Sequence, residues 1–424
     1  MASARLKAPR GTFDVLPEEG RRRLALRSVC HSLLDHRAGL EYVETPAFED
    51  TELFARGVGE ATDIVQKEMF TFEDKAGRSL TLRPEETASI CRAYIEHGMH
   101  KLPQPVRLWY WGPFFRHEAP QAGRYRQFTQ VGAETLGSDD PAADAELIAL
   151  LAELLEEARC REVGLRISSL GTPATRRRYR EELGDHLRRH EARLAPAVRE
   201  RIELNPLRAF DSDDEGTRAV MAEAPRLVDR LDEGDAEHFA EVRARLDEAG
   251  VGYVVDATLV RGLDYYTRTV FEFTSGALGA QSALGGGGRY DGLMEQLGGP
   301  PTPAIGWAAG IERILLAADP EATGHWGSTS PPRVYVASSD PAQARRAFAL
   351  LTELRRRSVN AQIEQAGRSL KGQLRQADRL GARFALILDG EGGLELRDMR
   401  SGEQQEIGSA ADVERLVDPE VSGW

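Results

Sequence analysis

A chain of 424 residues, 41% hydrophobic and 29% charged, is too long for one ordinary domain and too rich in core-forming residues for wholesale disorder, so two or three folded domains are expected. Three cysteines, Cys30, Cys91 and Cys160, form no CxxC pair, which excludes a disulfide framework and a cysteine-ligated zinc site and suits a reducing cytoplasm. The net charge of −13 argues against coating nucleic acid by bulk attraction, while leaving room for a local basic patch.

The N-terminal stretch lacks the apolar core of a secretory signal, and no run of about 18 apolar residues offers a membrane span, so neither export nor membrane insertion is expected. Lysine occurs only at Lys7, Lys67, Lys75, Lys101 and Lys371; arginine carries nearly all the positive charge, a bias that GC-rich coding produces. No Gly-Lys-Ser/Thr occurs, so a Walker-type loop is absent and any nucleotide phosphates must be held another way.

From Pro9 to about Leu170 helical and strand-like periods alternate, an α+β pattern. A helical stretch, Glu18 to Arg37, precedes the extended segment Glu41 to Pro46. Pro105 to Glu118 and Tyr125 to Leu136 read as a long antiparallel pair joined by the turn-prone segment 119–124, and the helix that follows, Asp139 to Arg159, opens on a capping Asp-Asp-Pro. Between about Gly171 and Gly250 dense Arg, Glu and Asp at helical spacing predict an inserted helical module. From Val251 strand signals return, at 269–274, 285–292 and 304–316, as the second half of the first domain, and Asp319 to Pro332 reads as a linker. Beyond it a strand from Arg333, helices near Pro341–Ser358 and Ser369–Leu380, and a strand at 384–388 predict a separate α/β domain.

Four clusters have chemical potential. Strand parity puts Arg116 with Glu118 on one side of the incoming strand, and Gln130, Gly132 and Glu134 on one side of the return strand. Polar groups on a face that ought to be apolar suit a ligand site, although a solvated sheet face accounts for them too. Arg261, Tyr265 and Tyr266 lead into a strand, where a tyrosine pair serves recognition or core packing. The glycines at 285–288 let backbone approach a ligand or another strand closely, and Arg313, at the strand-to-helix junction Gly310-Ile-Glu-Arg313, can face a phosphate or cap a helix.

Read together, these motifs resemble a known family. PheArgHisGlu (115–118) with its loop, and GlyIleGluArg (310–313), resemble motifs 2 and 3 of the class II aminoacyl-tRNA synthetases. ArgGlyLeuAspTyrTyrThrArgThrValPheGlu (261–272) and LeuGlyGlyGlyGlyArgTyrAspGlyLeu (284–293) resemble the two histidine-specific motifs of the histidyl-tRNA synthetase family, bacterial type. Segments 9–18, 82–85, 205–208 and 368–382 also match, so the resemblance covers essentially the whole chain.

That resemblance implies a class II antiparallel-sheet catalytic domain over 1–325 with a helical insertion at about 171–250, a linker ending at 326–332, and an anticodon-binding α/β domain over 333–424. It implies activation of histidine with ATP and Mg2+, then transfer to the 3′ end of tRNA(His), by a cytoplasmic homodimer whose interface includes Glu18–Pro46. Arg116 and Arg313 are then the ATP-binding and catalytic arginines, with Arg261 the third catalytic one; arginine suits phosphate through its planar, always charged fork. Glu85, Thr87 and Gln130 match the acceptors for the histidine ammonium, Glu134 and Tyr266 the pair that brackets the imidazole, and Tyr265 a further pocket residue. Gln121 and Arg124 are expected at the tRNA acceptor end, and Arg368, Lys371, Arg375 and Arg379 as a basic helical stripe for the anticodon arm. The sequence departs from the family at Glu86, usually glycine, and Ala119, usually arginine; Glu86 either adds a carboxylate near the ammonium or points away. A non-charging regulatory paralogue is the competing reading, disfavoured by the intact C-terminal domain and histidine motifs.

Overall fold

The computed structural model describes residues 6–417, except 60, 61, 63, 120–122, 204, 260–262, 280, 281 and 329 and the side chains of 208, 211 and 341. The chain divides into two units, Met1–Gly327 and Ser328–Trp424. Among the described residues no helix is long and apolar enough to cross a membrane.

The first unit is organised by an eight-stranded sheet. In chain order its strands are β1 (Glu41–Tyr42), β2 (Val106–Phe115), β3 (Gln127–Leu136), β4 (Val163–Ser169), β5 (Val254–Val255), β6 (Thr267–Ser275), β7 (Ala283–Arg289) and β8 (Ala304–Gly310). The spatial order is β1-β2-β3-β8-β7-β6-β4-β5, with six central antiparallel strands and each edge strand parallel to its neighbour. The glycine-rich β7 therefore runs through the middle of the sheet. A Cβ on Gly287 would fall 1.8 Å from the Gly306 carbonyl oxygen, so close strand approach accounts for that glycine.

Five helices of this unit bear on the site: α1 (Pro17–Cys30), α2 (Thr87–Glu96), α3 (Pro141–Glu157), α4 (Pro173–Arg189) and α5 (Glu233–Glu248). Alternation sorts the sheet into two faces. Trp109, Val131, Ala133, Phe271 and Phe273 face a helical layer made by α1, α3 and α5. Leu26, Leu147, Leu151, Leu154 and Val242 fill that layer, each fully buried and each contributing about 1.5–3 kcal/mol relative to exposure. The helix expected from Asp139 begins at Pro141, where the Asp140 carboxylate accepts the Ala142 N–H at 2.8 Å. The opposite face bears Leu108, Tyr110, Val270 and the site, and α2 covers part of it with Ile90 and Tyr94.

The helical stretch 171–250 packs in two places. Tyr179, Leu183 and Leu187 of α4 join Val220, Met221 and Leu227 in a cluster of their own, whereas Phe239, Val242 and Leu246 of α5 join the helical layer on the sheet. His238 of α5 lies 2.9 Å from the Asp144 carboxylate, which also pairs with the fully buried Arg289 of β7. The expected linker is partly structured: residues Pro320–Thr323 are helical, Trp326 packs on the core, and Arg21 Nε donates to the Gly327 carbonyl at 2.8 Å.

The second unit holds β9 (Val334–Ser338), β10 (Ala361–Ile363), β11 (Phe384–Leu388), β12 (Leu394–Asp398) and β13 (Gln404–Glu406) in the order β10-β9-β11-β12-β13. The first three are parallel and the last two antiparallel. Two helices fall near the expected positions, Ala344–Arg356 and Leu370–Arg379. The first buries Ala347, Leu351 and Leu354 against Val334, Val336 and Leu386.

Candidate active site

A cavity of about 340 Å³ opens on the polar face of the sheet, in the size range of small-molecule sites. Glu85 lies on its wall at the start of α2, where its two carboxylate oxygens accept the N–H groups of Thr87 at 2.8 Å and Ala88 at 2.9 Å. Burial raises the Glu85 carboxyl above its usual range, and the two capping bonds oppose that rise. The Tyr265 hydroxyl approaches the same carboxylate at 3.4 Å. Tyr265 and Tyr266 are both buried, their ring centroids 4.8 Å apart, so they serve packing and cavity wall at once.

Gln130 also lines the cavity, and its Oε1 is buried with no hydrogen-bond partner among the described residues. Glu134, four residues along the same face of β3, sits one layer behind the wall. The Thr87 hydroxyl donates to its Oε1 at 3.0 Å and the Tyr290 hydroxyl donates to its Oε2. Glycine at 306 makes this position possible, because a Cβ there would lie 1.5 Å from Glu134 Oε2. The carboxyl is fully buried, and burial pushes it well above the ordinary carboxylate range.

Two arginines also line the cavity. The β2 strand ends at Phe115, where the His117 N–H donates to the Glu68 carbonyl at 2.7 Å and turns the chain aside. Arg116, just beyond, donates from Nε to the Pro84 carbonyl at 2.9 Å and lies over the Phe128 ring, 5.3 Å from its centroid. Arg313, in the first turn of the helix Ile311–Ala317, donates from Nε to the Gly123 carbonyl at 3.1 Å and from Nη1 to the Ala283 carbonyl. Its Nη2 is buried with no hydrogen-bond partner among the described residues, and burial lowers its basicity. Glu312, which also lines the cavity, is a clamp, accepting the Thr129 N–H at 3.0 Å and Arg23 Nη2 at 3.0 Å. Arg124 lines the rim and pairs with Glu118 at 3.3 Å. Arg261 and Gln121 lie outside the described residues.

The arrangement is thus one cavity lined by both acceptors and cationic donors, and comparison with known proteins identifies its lineage. The histidyl-tRNA synthetase family model matches residues 11–314, and an anticodon binding domain model matches residues 333–418. The chain belongs to the histidyl-tRNA synthetase family. A histidine–tRNA ligase of Rubrobacter xylanophilus is 48% identical over 417 residues, covering 95% of this chain and 96% of the relative. One of Thermosynechococcus vestitus is 45% identical over 403 residues, 94% of this chain and 93% of that one. The crystal structure of apo histidyl-tRNA synthetase from S. aureus superposes with a TM-score of 0.79 at 34% identity, covering 98% of this chain and 99% of that one.

Against this histidyl-tRNA synthetase background, three site features go beyond what the sequence motifs singled out. Tyr290 stands in the 284–293 motif among its glycines, and the tyrosine is the donor that holds Glu134. Tyr110 lines the cavity from β2 at a parity shared with Arg116, a signal present in the strand pattern. Glu86 pairs with Arg83 at 3.0 Å and lines the cavity beside Glu85. In the second unit the expected stripe is present: Lys371, Arg375 and Arg379 are exposed on the helix Leu370–Arg379, while Arg368, just before it, pairs with Glu364 at 3.0 Å.

Proposed function

We propose that the chain is a histidine–tRNA ligase, which activates histidine with MgATP and passes it to the 3′ end of tRNA(His). The observation that supports this most is a single cavity in which Gln130 Oε1 and Arg313 Nη2 are both buried without partners among the described residues, an acceptor that suits an ammonium and a donor that suits a phosphate.

In this reading the histidine ammonium lies among Glu85, Thr87 and Gln130, and its ring against Tyr265 and Tyr266. An ionised Glu134 uses two of about four acceptor sites on Thr87 and Tyr290, leaving capacity for the imidazole N–H. A carboxylate reserved for an N–H donor discriminates against apolar isosteres, because they leave it buried and unpaired. Arg116 and Arg313 hold the phosphates of ATP, and Arg261 adds positive charge where it is needed as the histidine carboxylate attacks the α-phosphate and pyrophosphate leaves. Magnesium would enter as part of the MgATP substrate and offset the phosphate charge beside Arg116 and Arg313. The 3′-hydroxyl of tRNA then attacks the activated carbonyl and AMP departs.

Arg124 and Gln121 meet the acceptor end, while Arg368, Lys371 and Arg375 meet the anticodon arm by charge. The exposed apolar side chains Leu24 and Tyr42, on α1 and β1, favour a homodimer through the Glu18–Pro46 region. The cytoplasm is the proposed compartment. Single-turnover adenylate formation tests the assignment: Arg261→Ala is expected to slow the chemical step far more than it weakens histidine binding, and equal losses in both would overturn that role.

A further inference from the structure

Two adjacent carboxylates line the cavity, and each has its own partners. Glu85 caps α2; Glu86, 1% exposed, accepts the Thr45 hydroxyl at 2.8 Å and lies 3.0 Å from Arg83 Nη1. Arg83 is itself 3% exposed. Its Nε donates to the Pro113 carbonyl at 3.0 Å and its Nη1 to the Thr45 carbonyl at 3.0 Å, and its guanidinium lies over Phe114, 4.8 Å from the ring centroid. An arginine keeps its charge when buried, so this one needs an anion, and Glu86 is the acid paired with it among the described residues.

The pair closes a loop of four residues, and its interior serves the site. The Pro84 carbonyl holds Arg116 at 2.9 Å, the Glu85 carboxylate faces the cavity, and Thr87, next in the chain, holds Glu134. We infer that Glu86 is a positioning residue for substrate capture: clamped to Arg83 and Thr45, it locks the 84–87 turn that sets Glu85, Thr87 and Arg116 in register. The inference rests on the proposed function and deepens it, assigning work to a position where the family usually has glycine.

The clamp is sensitive to pH. Burial pushes the Glu86 carboxyl up to about 7, with Arg83 opposing that rise and Glu85 adding to it; Glu134 and Tyr110 also interact with it electrostatically. Above that pH Glu86 is ionised and pairs with Arg83, and below it the pair loses its anion.

The test compares wild type, Glu86→Gln and Thr45→Val in histidine-dependent ATP–pyrophosphate exchange at pH 8 and pH 6. Removing the charge from the clamp is expected to raise the KM for histidine about tenfold in Glu86→Gln at pH 8, with kcat changing much less. Thr45→Val, which removes only the hydroxyl, is expected to shift KM the same way by a smaller factor. The KM of wild type should rise more than that of Glu86→Gln as the pH falls, a comparison in which histidine's own titration cancels. Variants matching wild type in KM at both pH values overturn the inference, as does a loss confined to kcat. Calorimetric histidine binding by the same three proteins reads the clamp independently of exchange, so a wild type that binds histidine without exchanging pyrophosphate refutes the ligase reading and leaves the clamp to be judged by affinity.

Discussion

The cavity of the first unit and the basic helix of the second both present cationic side chains, but under opposite conditions. Arg313 is half-buried, held by two carbonyls and left with one N–H group unpartnered among the described residues, whereas Lys371 and Arg375 stand exposed on a helix surface. A charge withdrawn from water interacts strongly and at a set angle; one in water is screened within about 10 Å at 0.1 M salt. In the proposed function chemistry therefore belongs to the first region, and adjustable attraction for a polyanion to the second.

Substitutions should separate the two by size and by kind. If Arg313 holds phosphate as proposed, Arg313→Ala is expected to lower the exchange rate about 10²–10³-fold, measured as kcat with saturating histidine. A fall of less than about fivefold would place the phosphates elsewhere. Glu134→Gln keeps the shape but replaces an acceptor-only group, and is expected to lower kcat/KM for histidine about 100-fold while the KM for ATP stays near its wild-type value. Equal rises in both KM values would mean that Glu134 only supports the fold. Lys371→Ala with Arg375→Ala should raise the KM for tRNA by a few-fold, lower the steepness of its salt dependence by about one for each phosphate no longer neutralised, and leave tRNA-independent exchange untouched. A change in exchange would break the contrast between the regions.

A smaller effect concerns pH and stability. The folded Glu86 carboxyl, raised to about 7 by burial, keeps a proton that the unfolded chain has released above its ordinary value near 4.5. Because the native state binds more protons, this group's contribution to stability is present at low pH and is lost as the pH rises through about 7. Thermal melts of wild type and Glu86→Gln should therefore diverge in favour of wild type as the pH falls from 8 to 6. The ionised form is the one that clamps the turn, so stability and capture are expected to move in opposite directions with pH.

Much of this architecture is legible in the chain because short-range rules produce it. Period-2 alternation locates β2 and β3 and puts Gln130 and Glu134 on one face, and Asp140-Pro141 marks the start of its helix. What escapes depends on residues far apart in sequence. Nothing local tells Phe239 and Val242 to leave the helical stretch around Tyr179 and join the sheet's helical layer, nor ties Thr45 to Glu86 across 41 positions. The burial of Glu134 behind the cavity wall follows only once Gly306 is placed opposite it on β8. The widened helical turn at His31–Arg37 and the short polar strand β13 carry no distinct signal either. The Arg83–Glu86 pair is the exception: its i, i+3 spacing is in plain view, and only its burial is not.

The central claim is that this cavity is built to activate histidine. ATP–pyrophosphate exchange with each of the twenty amino acids in turn, without tRNA, tests it most directly. Exchange with histidine alone is the predicted result; exchange with another amino acid, or histidine binding with no exchange at all, would contradict it.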